Sequence, residues 1–254
     1  MSQTHVDVST EFTQPTNHIE LNNDGIGYLE SYDFSAANLS EESRIACIST
    51  VASVCYGNPK ASGSISLYNR LANESAGLPS SSFEFVPVLL PTSSTAKIYS
   101  IKEELPHNIT KYGEWVEDGK YLLTNLRALM ADVGDRASEF LNTEEECTIM
   151  AKHHRVFKAK IDIATRTQYI RHRVSWQELS RRYVSGKRAP FEFYISDKMK
   201  RVETTCRFDE YQENDKIDTR DLIEQCVAHY DKAIEEGVKP EEARRILPQA
   251  MYTT

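Results

Sequence analysis

The stretch Arg166–Val184, RTQYIRHRVSWQELSRRYV, holds five arginines, Arg166, Arg171, Arg173, Arg181 and Arg182, in a chain of net charge -8. Glu178 is the one acid among them. Guanidinium groups stay charged at every physiological pH and offer a planar fork that matches a phosphate in two bonds at once. Tyr169, Ile170, Trp176, Leu179 and Tyr183 are threaded between the cations, so the segment is expected to pack in part rather than lie as a solvated face. A partly buried arginine needs an anionic partner. Glu178 cannot serve all five, and a phosphate-bearing ligand is the natural remainder. A carboxylate among arginines is held ionised and can order them.

Outward from this stretch, the preceding VFKAKIDIA (Val156–Ala164) alternates. Phe157, Ala159, Ile161 and Ile163 are expected on a buried face, with Lys158, Lys160 and Asp162 on the other. Thr165 or Thr167 is expected to cap a helix over Gln168–Arg173, with Gln168, Arg171 and Ser175 sharing a face. Further on, Thr219 is expected to cap a long helix through Ile234, its inner side made by Leu222, Ile223, Cys226, Val227, Tyr230 and Ile234 and its end by Gly237. Pro240 then opens a short helix that stops at Pro248.

Upstream, Glu41–Cys55 and Ser64–Ala76 read as helices, and Ser81–Pro91 as a buried strand. Asp118-Gly119 predicts a two-residue turn between strands Glu114–Val116 and Tyr121–Leu123. A helix starts at Asn125 and runs to Val133, and Thr143 with Glu146 forms a capping box for another over Glu144–His153. Residues 1–26 are polar and read as a flexible arm. Residues 27–254 read as a single domain with an insertion at about 91–153. Helices and strands mix without a βαβ repeat, which gives an α+β class with a mixed or antiparallel sheet and packed helices.

The composition excludes several classes. At 40% hydrophobic residues with 9 prolines and 10 glycines, the chain is neither low-complexity nor fibrous. Its acidity argues against a nucleic-acid surface, though not against one basic pocket. Cys47, Cys55, Cys147, Cys206 and Cys226 are odd in number and unpaired in spacing, which fits reduced thiols rather than a disulfide framework or a metal site. No apolar run approaches the roughly 18 residues of a membrane span. The polar N-terminus is unlike a secretory signal, so the expected address is the cytoplasm.

Arg171-His172-Arg173, a spacer VSWQEL, then Ser180-Arg181-Arg182-Tyr183 resembles the signature of the flavin-dependent thymidylate synthases. That signature is Arg-His-Arg, seven residues, then Ser with Arg-Tyr two and three positions beyond. GVKPEEARRILPQAMYT (Gly237–Thr253) is similar to the family's later block, and SSSFEF (Ser80–Phe85) to its upstream one. The resemblance implies an α+β homotetramer. It implies FAD as cofactor and reductive methylation of dUMP to dTMP, with methylenetetrahydrofolate giving the carbon and NADPH reducing the flavin. By position, Arg171, His172 and Arg173 would hold the flavin. Gln168, Glu178, Ser180 and Arg182 would hold dUMP, and Arg244 would contact the uracil; Arg244, Glu178 and Ser180 are the catalytic candidates.

The chain also departs from that pattern. The spacer has six residues, not seven. Ser81 stands at the upstream block's threonine position, and Pro79 and Phe85 near the places of its two histidines. Ala52-Ser53-Val54-Cys55-Tyr56 lacks the family's arginine. The family continues past MYTT with a strand and an Asn- and Arg-bearing helix. Tyr121–Val133 is similar to that element, so Asn125 and Arg127 are expected to take over part of its role at the flavin, with Ser81. A diverged relative that binds nucleotide or flavin without turnover, or a docking module for an acidic protein, would carry the same arginines.

Overall fold

The computed structural model describes residues 6, 12–22, 25–73, 79–101, 107–172, 174–205 and 216–254. They pack into two compact units built from interleaved pieces of chain. The first takes residues 1–19, 29–158 and 174–177, and the second 20–28, 159–173 and 178–254. Helices and antiparallel pairs mix in both, as an α+β class requires.

Strands β1 (Asn17–Glu20) and β2 (Tyr28–Tyr32), all but Glu20 and Tyr28 in the first unit, lead into its helix α1 (Glu41–Tyr56). Ser40 caps α1 by accepting the Ser43 N–H at 3.1 Å, and Glu41 and Glu42 face the positive end of the helix dipole. Helix α2 (Ile65–Ala72) follows, capped by Ser64; the end expected for it at Ala76 lies outside the described residues. Ser81–Phe85 is a 3-10 turn rather than the start of a strand, capped by Ser80. Strand β3 begins only at Pro87 (Pro87–Pro91). Helices α3 (Thr92–Ile101) and α4 (His107–Lys111) separate β3 from β4 (Glu114–Val116) and β5 (Tyr121–Asn125).

The sheet runs β3-β5-β4, with β5 central and antiparallel to both neighbours. Pro87 and Pro91 therefore sit on an edge strand, where a missing donor costs least. Val88, Leu89 and Leu90 are all buried, so both faces of β3 are covered. Val88 and Leu90 join the main core with Ile48, Phe83, Ile98, Leu126 and Leu129, while Leu89 packs with Val116, Cys147 and Met150. Each such aliphatic side chain contributes about 1.5–3 kcal/mol on burial. The hairpin differs from the expected two-residue turn. Pairing closes at Val116↔Tyr121, and Glu117, Asp118 and Gly119 all take positive φ of 49, 55 and 79°. The loop is Glu117–Lys120, and Gly119 supplies the left-handed position without strain.

Helix α5 (Leu126–Val133) starts at Asn125, as expected, and α6 (Glu144–His153) starts from the Thr143–Glu146 capping box. On the buried side of α1, Arg44 is 4% exposed. Its guanidinium donates to Asn38 Oδ1 at 2.6 Å and to the carbonyls of Ala137 and Phe140 at 3.0 and 3.4 Å. Asn142 closes the network onto Asn38 and Leu89. The N-terminal segment expected to be loose contributes Phe12, 2% exposed, to this core, edge-on to Phe34. Strand β6 (Val156–Asp162) ends the first unit's longest piece and continues into the second.

On β6 the expected apolar face is not realised: of Phe157, Ala159, Ile161 and Ile163 only Ile161 is buried, Phe157 is 60% exposed, and Val156, of the opposite parity, is buried instead. Alternation states which residues share a face, not whether that face is covered along its whole length.

In the second unit, Asp162 rather than a threonine caps α7 (Ile163–Tyr169). Its carboxylate accepts the Thr165 N–H at 3.0 Å and the Thr165 hydroxyl at 2.7 Å, and an ionised cap also suits the dipole. The helix stops at Tyr169, so Arg171 and Ser175 share no helical face. The β7 (Glu203–Thr205) and β8 (Lys216–Asp218) hairpin leads to α8 (Thr219–Glu235). Asp218, not Thr219, caps α8 in a reciprocal box with Asp221. Ile223 and Tyr230 are its buried side chains, while Leu222 is exposed. Tyr230 meets Phe191 edge-on at 4.9 Å. Gly237, at φ 87°, ends the turn after α8. Helix α9 (Pro240–Ala243) and a 3-10 turn at Arg244–Ile246 precede β9 (Tyr252–Thr253). β9 pairs antiparallel with Ile161 and Asp162, and the Tyr252 N–H donates to the Glu192 carbonyl at 2.8 Å.

Candidate functional site

The arginine stretch is divided by the packing. Residues 174–177 belong to the first unit, and the arginines on both sides of them to the second. Three groups of polar side chains result.

The first is anchored on Arg127, in the first turn of α5. Its Nε donates to the Pro79 carbonyl at 2.9 Å and its Nη1 to Glu84 Oε1 at 2.5 Å. The other Glu84 oxygen accepts the Ser175 hydroxyl at 2.7 Å, and Gln177 Nε2 donates to Ser81 Oγ at 2.6 Å. The 3-10 turn at Ser81–Phe85 is thereby clipped to Val174–Gln177. Asn125 uses its side-chain oxygen on the Ala128 N–H at 3.0 Å. Ser81 and Arg127 thus fall in one network, with Asn125 capping the helix that carries Arg127. Glu84 and Gln177 were missed in the sequence, and Ser175 was expected on a face with Arg171 rather than on Glu84, because these pairings are long-range and have no local spacing.

The second group surrounds Glu178. Arg166, on α7, donates from Nε to Glu178 Oε2 at 3.0 Å and from Nη2 to the same oxygen. Thr253 Oγ1 donates to Glu178 Oε1 at 3.0 Å, and the Leu179 N–H donates to the Thr254 carbonyl at 2.8 Å. Both carboxylate oxygens are therefore engaged, and the ion pair is half-buried. Ser180 opens a turn in which its carbonyl accepts the Tyr183 and Val184 N–H groups.

Arg181 and Arg182 go opposite ways. Arg181 is buried and donates to the carbonyls of Ala189 and Pro190 at 2.6 and 3.2 Å, over the Phe191 ring. Desolvation lowers its pKa. It is part of the fold. Arg182 is open to solvent and donates from Nε to Glu241 Oε2 at 2.8 Å. That hydrogen bond raises its pKa. Together with Lys239, Glu241, Glu242, Arg244 and Arg245, Arg182 lines a cleft of about 580 Å³. Its four cations outnumber its two carboxylates, so the cleft carries a formal surplus of positive charge suited to a small anion. Arg182 and Arg244, from different sequence blocks, meet here. Lys239, Glu241 and Arg245 were not singled out in the sequence, although their adjacency to Arg244 was the available signal.

Gln168 is exposed on α7, and Arg171 and His172 are exposed in the turn that follows. The His172 N–H donates to the Tyr169 carbonyl at 3.0 Å, and the two rings lie 6.4 Å apart. Arg173 lies outside the described residues. Among the described residues no three His, Cys, Asp or Glu side chains gather as metal ligands, and no helix is long and apolar enough to cross a membrane.

The model of one protein family, described as thymidylate synthase complementing protein, matches residues 120–254. That span includes Arg127, the whole arginine stretch and the cleft. No curated protein matches the chain. Among solved structures, the chain is similar to PolB, a UMP/dUMP methylase from Streptomyces cacaoi bound with 5-Br dUMP. Identity is 21%, coverage is 50% of this chain and 65% of that one, and the TM-score is 0.26. The chain thus spans less than two thirds of the length of the solved relative it matches.

Proposed function

The chain belongs to the thymidylate synthase complementing protein family, and we propose that it is a flavin-dependent thymidylate synthase. It would convert dUMP to dTMP with methylenetetrahydrofolate as carbon donor and NADPH as reductant, as a cytoplasmic homotetramer. The observation that carries this reading is the cationic cleft shared by Arg182 and Arg244. Arg182 holds the nucleotide phosphate through its guanidinium fork. Arg244, on the same cleft, faces the pyrimidine and stabilises negative charge that develops on it. Gln168, Glu178 and Ser180 complete the nucleotide site, with Glu178 held in place by Arg166 and Thr253.

The donors around Arg171 fit FAD. Arg171 is exposed and has no carboxylate partner among the described residues, which suits a ligand with two linked phosphates. Arg171, His172 and Arg173 would hold the cofactor, with Ser81, Asn125 and Arg127 as further contacts. Bound FAD supplies hydride chemistry, and the chain's own residues bind, orient and stabilise charge. The decisive test is NADPH-dependent dTMP formation from dUMP and methylenetetrahydrofolate by the purified, yellow protein. Flavin-loaded protein that forms no dTMP overturns the reading. It would leave the second one, binding without turnover, which the six-residue VSWQEL spacer favours.

A further inference from the structure

We propose that Glu241 is the displaceable counter-ion of Arg182 and sets how strongly the cleft takes a nucleotide phosphate. This rests on the reading of the cleft as the nucleotide site. Glu241 Oε2 accepts from Arg182 Nε alone, at 2.8 Å. The two Nη groups of Arg182, the ones a phosphate would grip, make no hydrogen bond among the described residues. Both side chains are open to water, 55% and 40% exposed, so the pair is weak and readily exchanged. The backbone that carries Glu241 is held in place, while its side chain is free to swing. It sits on α9, whose turn is tied by the Glu242 and Ala243 N–H groups to the Lys239 carbonyl at 2.9 and 3.0 Å and anchored by buried Ala243.

A phosphate monoester arriving at the cleft carries about -1.5 to -2 charge and exceeds the single charge of Glu241. It can take the guanidinium in two bonds where Glu241 takes one. While empty, the cleft keeps Arg182 neutralised and oriented; on binding, Glu241 gives way. The carboxylate also lowers the positive surplus that would otherwise favour ligands with more than one phosphate. Glu241 is therefore a positioning and specificity residue. It forms no bond to the reacting carbon.

Titration calorimetry of the FAD-loaded protein with dUMP and with dUTP tests this, using the wild type, Glu241→Gln, Glu241→Asp and Arg182→Ala. Glu241→Gln is expected to tighten dUMP binding about 2- to 5-fold, the range for releasing one exposed ion pair. It is expected to tighten dUTP binding at least as much. Glu241→Asp should stay near the wild type. The gain should shrink at 0.5 M KCl, where screening removes it; a purely structural role would not show that dependence. Glu241→Gln that binds dUMP no better than a wild type that does bind it overturns the role of Glu241 alone. Failure of the FAD-loaded wild type to bind dUMP overturns the nucleotide site and this inference with it.

Discussion

Arg44 in the first unit and Arg182 in the second use the same side chain in opposite ways. Arg44 is enclosed, and its partners are an asparagine and two backbone carbonyls that cannot leave. Arg182 is open, and its partner is a carboxylate on a short helix at the rim of a cleft. Burial lowers the pKa of Arg44, and the Glu241 hydrogen bond raises that of Arg182. A guanidinium satisfied by neutral acceptors in the interior is architecture, because removing it empties a buried site and takes one donor from each of those acceptors at once. A guanidinium that holds an exchangeable anion at the surface is available for binding. Arg181, beside Arg182 in the chain, has the Arg44 arrangement, so the distinction follows surroundings and not sequence position.

The largest effect that would break this contrast is on Arg44. Arg44→Ala is expected to cost about 2–5 kcal/mol by urea unfolding, because it empties a buried site and leaves Asn38 Oδ1 without its donor, while the Ala137 and Phe140 carbonyls keep the Phe140 N–H and Asn38 Nδ2. A loss below 1 kcal/mol would show that the network is not architectural. Next is His154, whose Nδ1 is buried without a partner among the described residues. Desolvation pushes its pKa down to about 4, against a smaller opposing effect of Asp33. The unfolded chain binds a proton near pH 6.5 that the folded chain refuses. Stability is therefore full above pH 6.5 and falls, by up to about 3 kcal/mol, as the pH drops toward 4. His154→Phe should flatten that slope in melts run across the range.

Arg127 stands between the extremes, half-exposed but tied to both Glu84 and a carbonyl. Arg127→Ala should lower stability by about 1–2 kcal/mol. A flavin titration of the same variant decides its second role, and unchanged FAD affinity removes it from the cofactor site. The smallest effect on stability belongs to Arg182. Arg182→Ala should leave the melting midpoint unchanged while weakening dUMP binding about tenfold. A fall in midpoint without a change in binding would erase the contrast from the other side.

Much of the fold was legible where the signal was local. Asn125 and the Thr143–Glu146 box start helices within one turn, and both sit where the sequence put them. The threonine caps proposed for α7 and α8 failed because Asp162 and Asp218 precede them, and an ionised acceptor wins at a helix N-terminus. Phe157 failed because its alternation says nothing about what covers it. At the site, the meeting of Arg182 with Arg244 followed from the motif blocks, but Glu178's partners did not. Arg166 and Thr253 reach it from twelve and seventy-five residues away, and no spacing rule joins such positions.

The interleaving of the two units bears on synthesis. The turn at Ser81–Phe85 and Arg127 are complete in the chain long before Ser175 and Gln177, whose hydrogen bonds clip that turn. A nascent chain that has emerged through residue 158 therefore holds nearly all of the first unit but lacks its final fastening, four residues that arrive only after a piece of the second. Neither unit can be cut out as one continuous gene fragment. Any dissection of this protein has to keep Val174–Gln177 with the residues before 158, by permutation or by supplying the segment as a peptide.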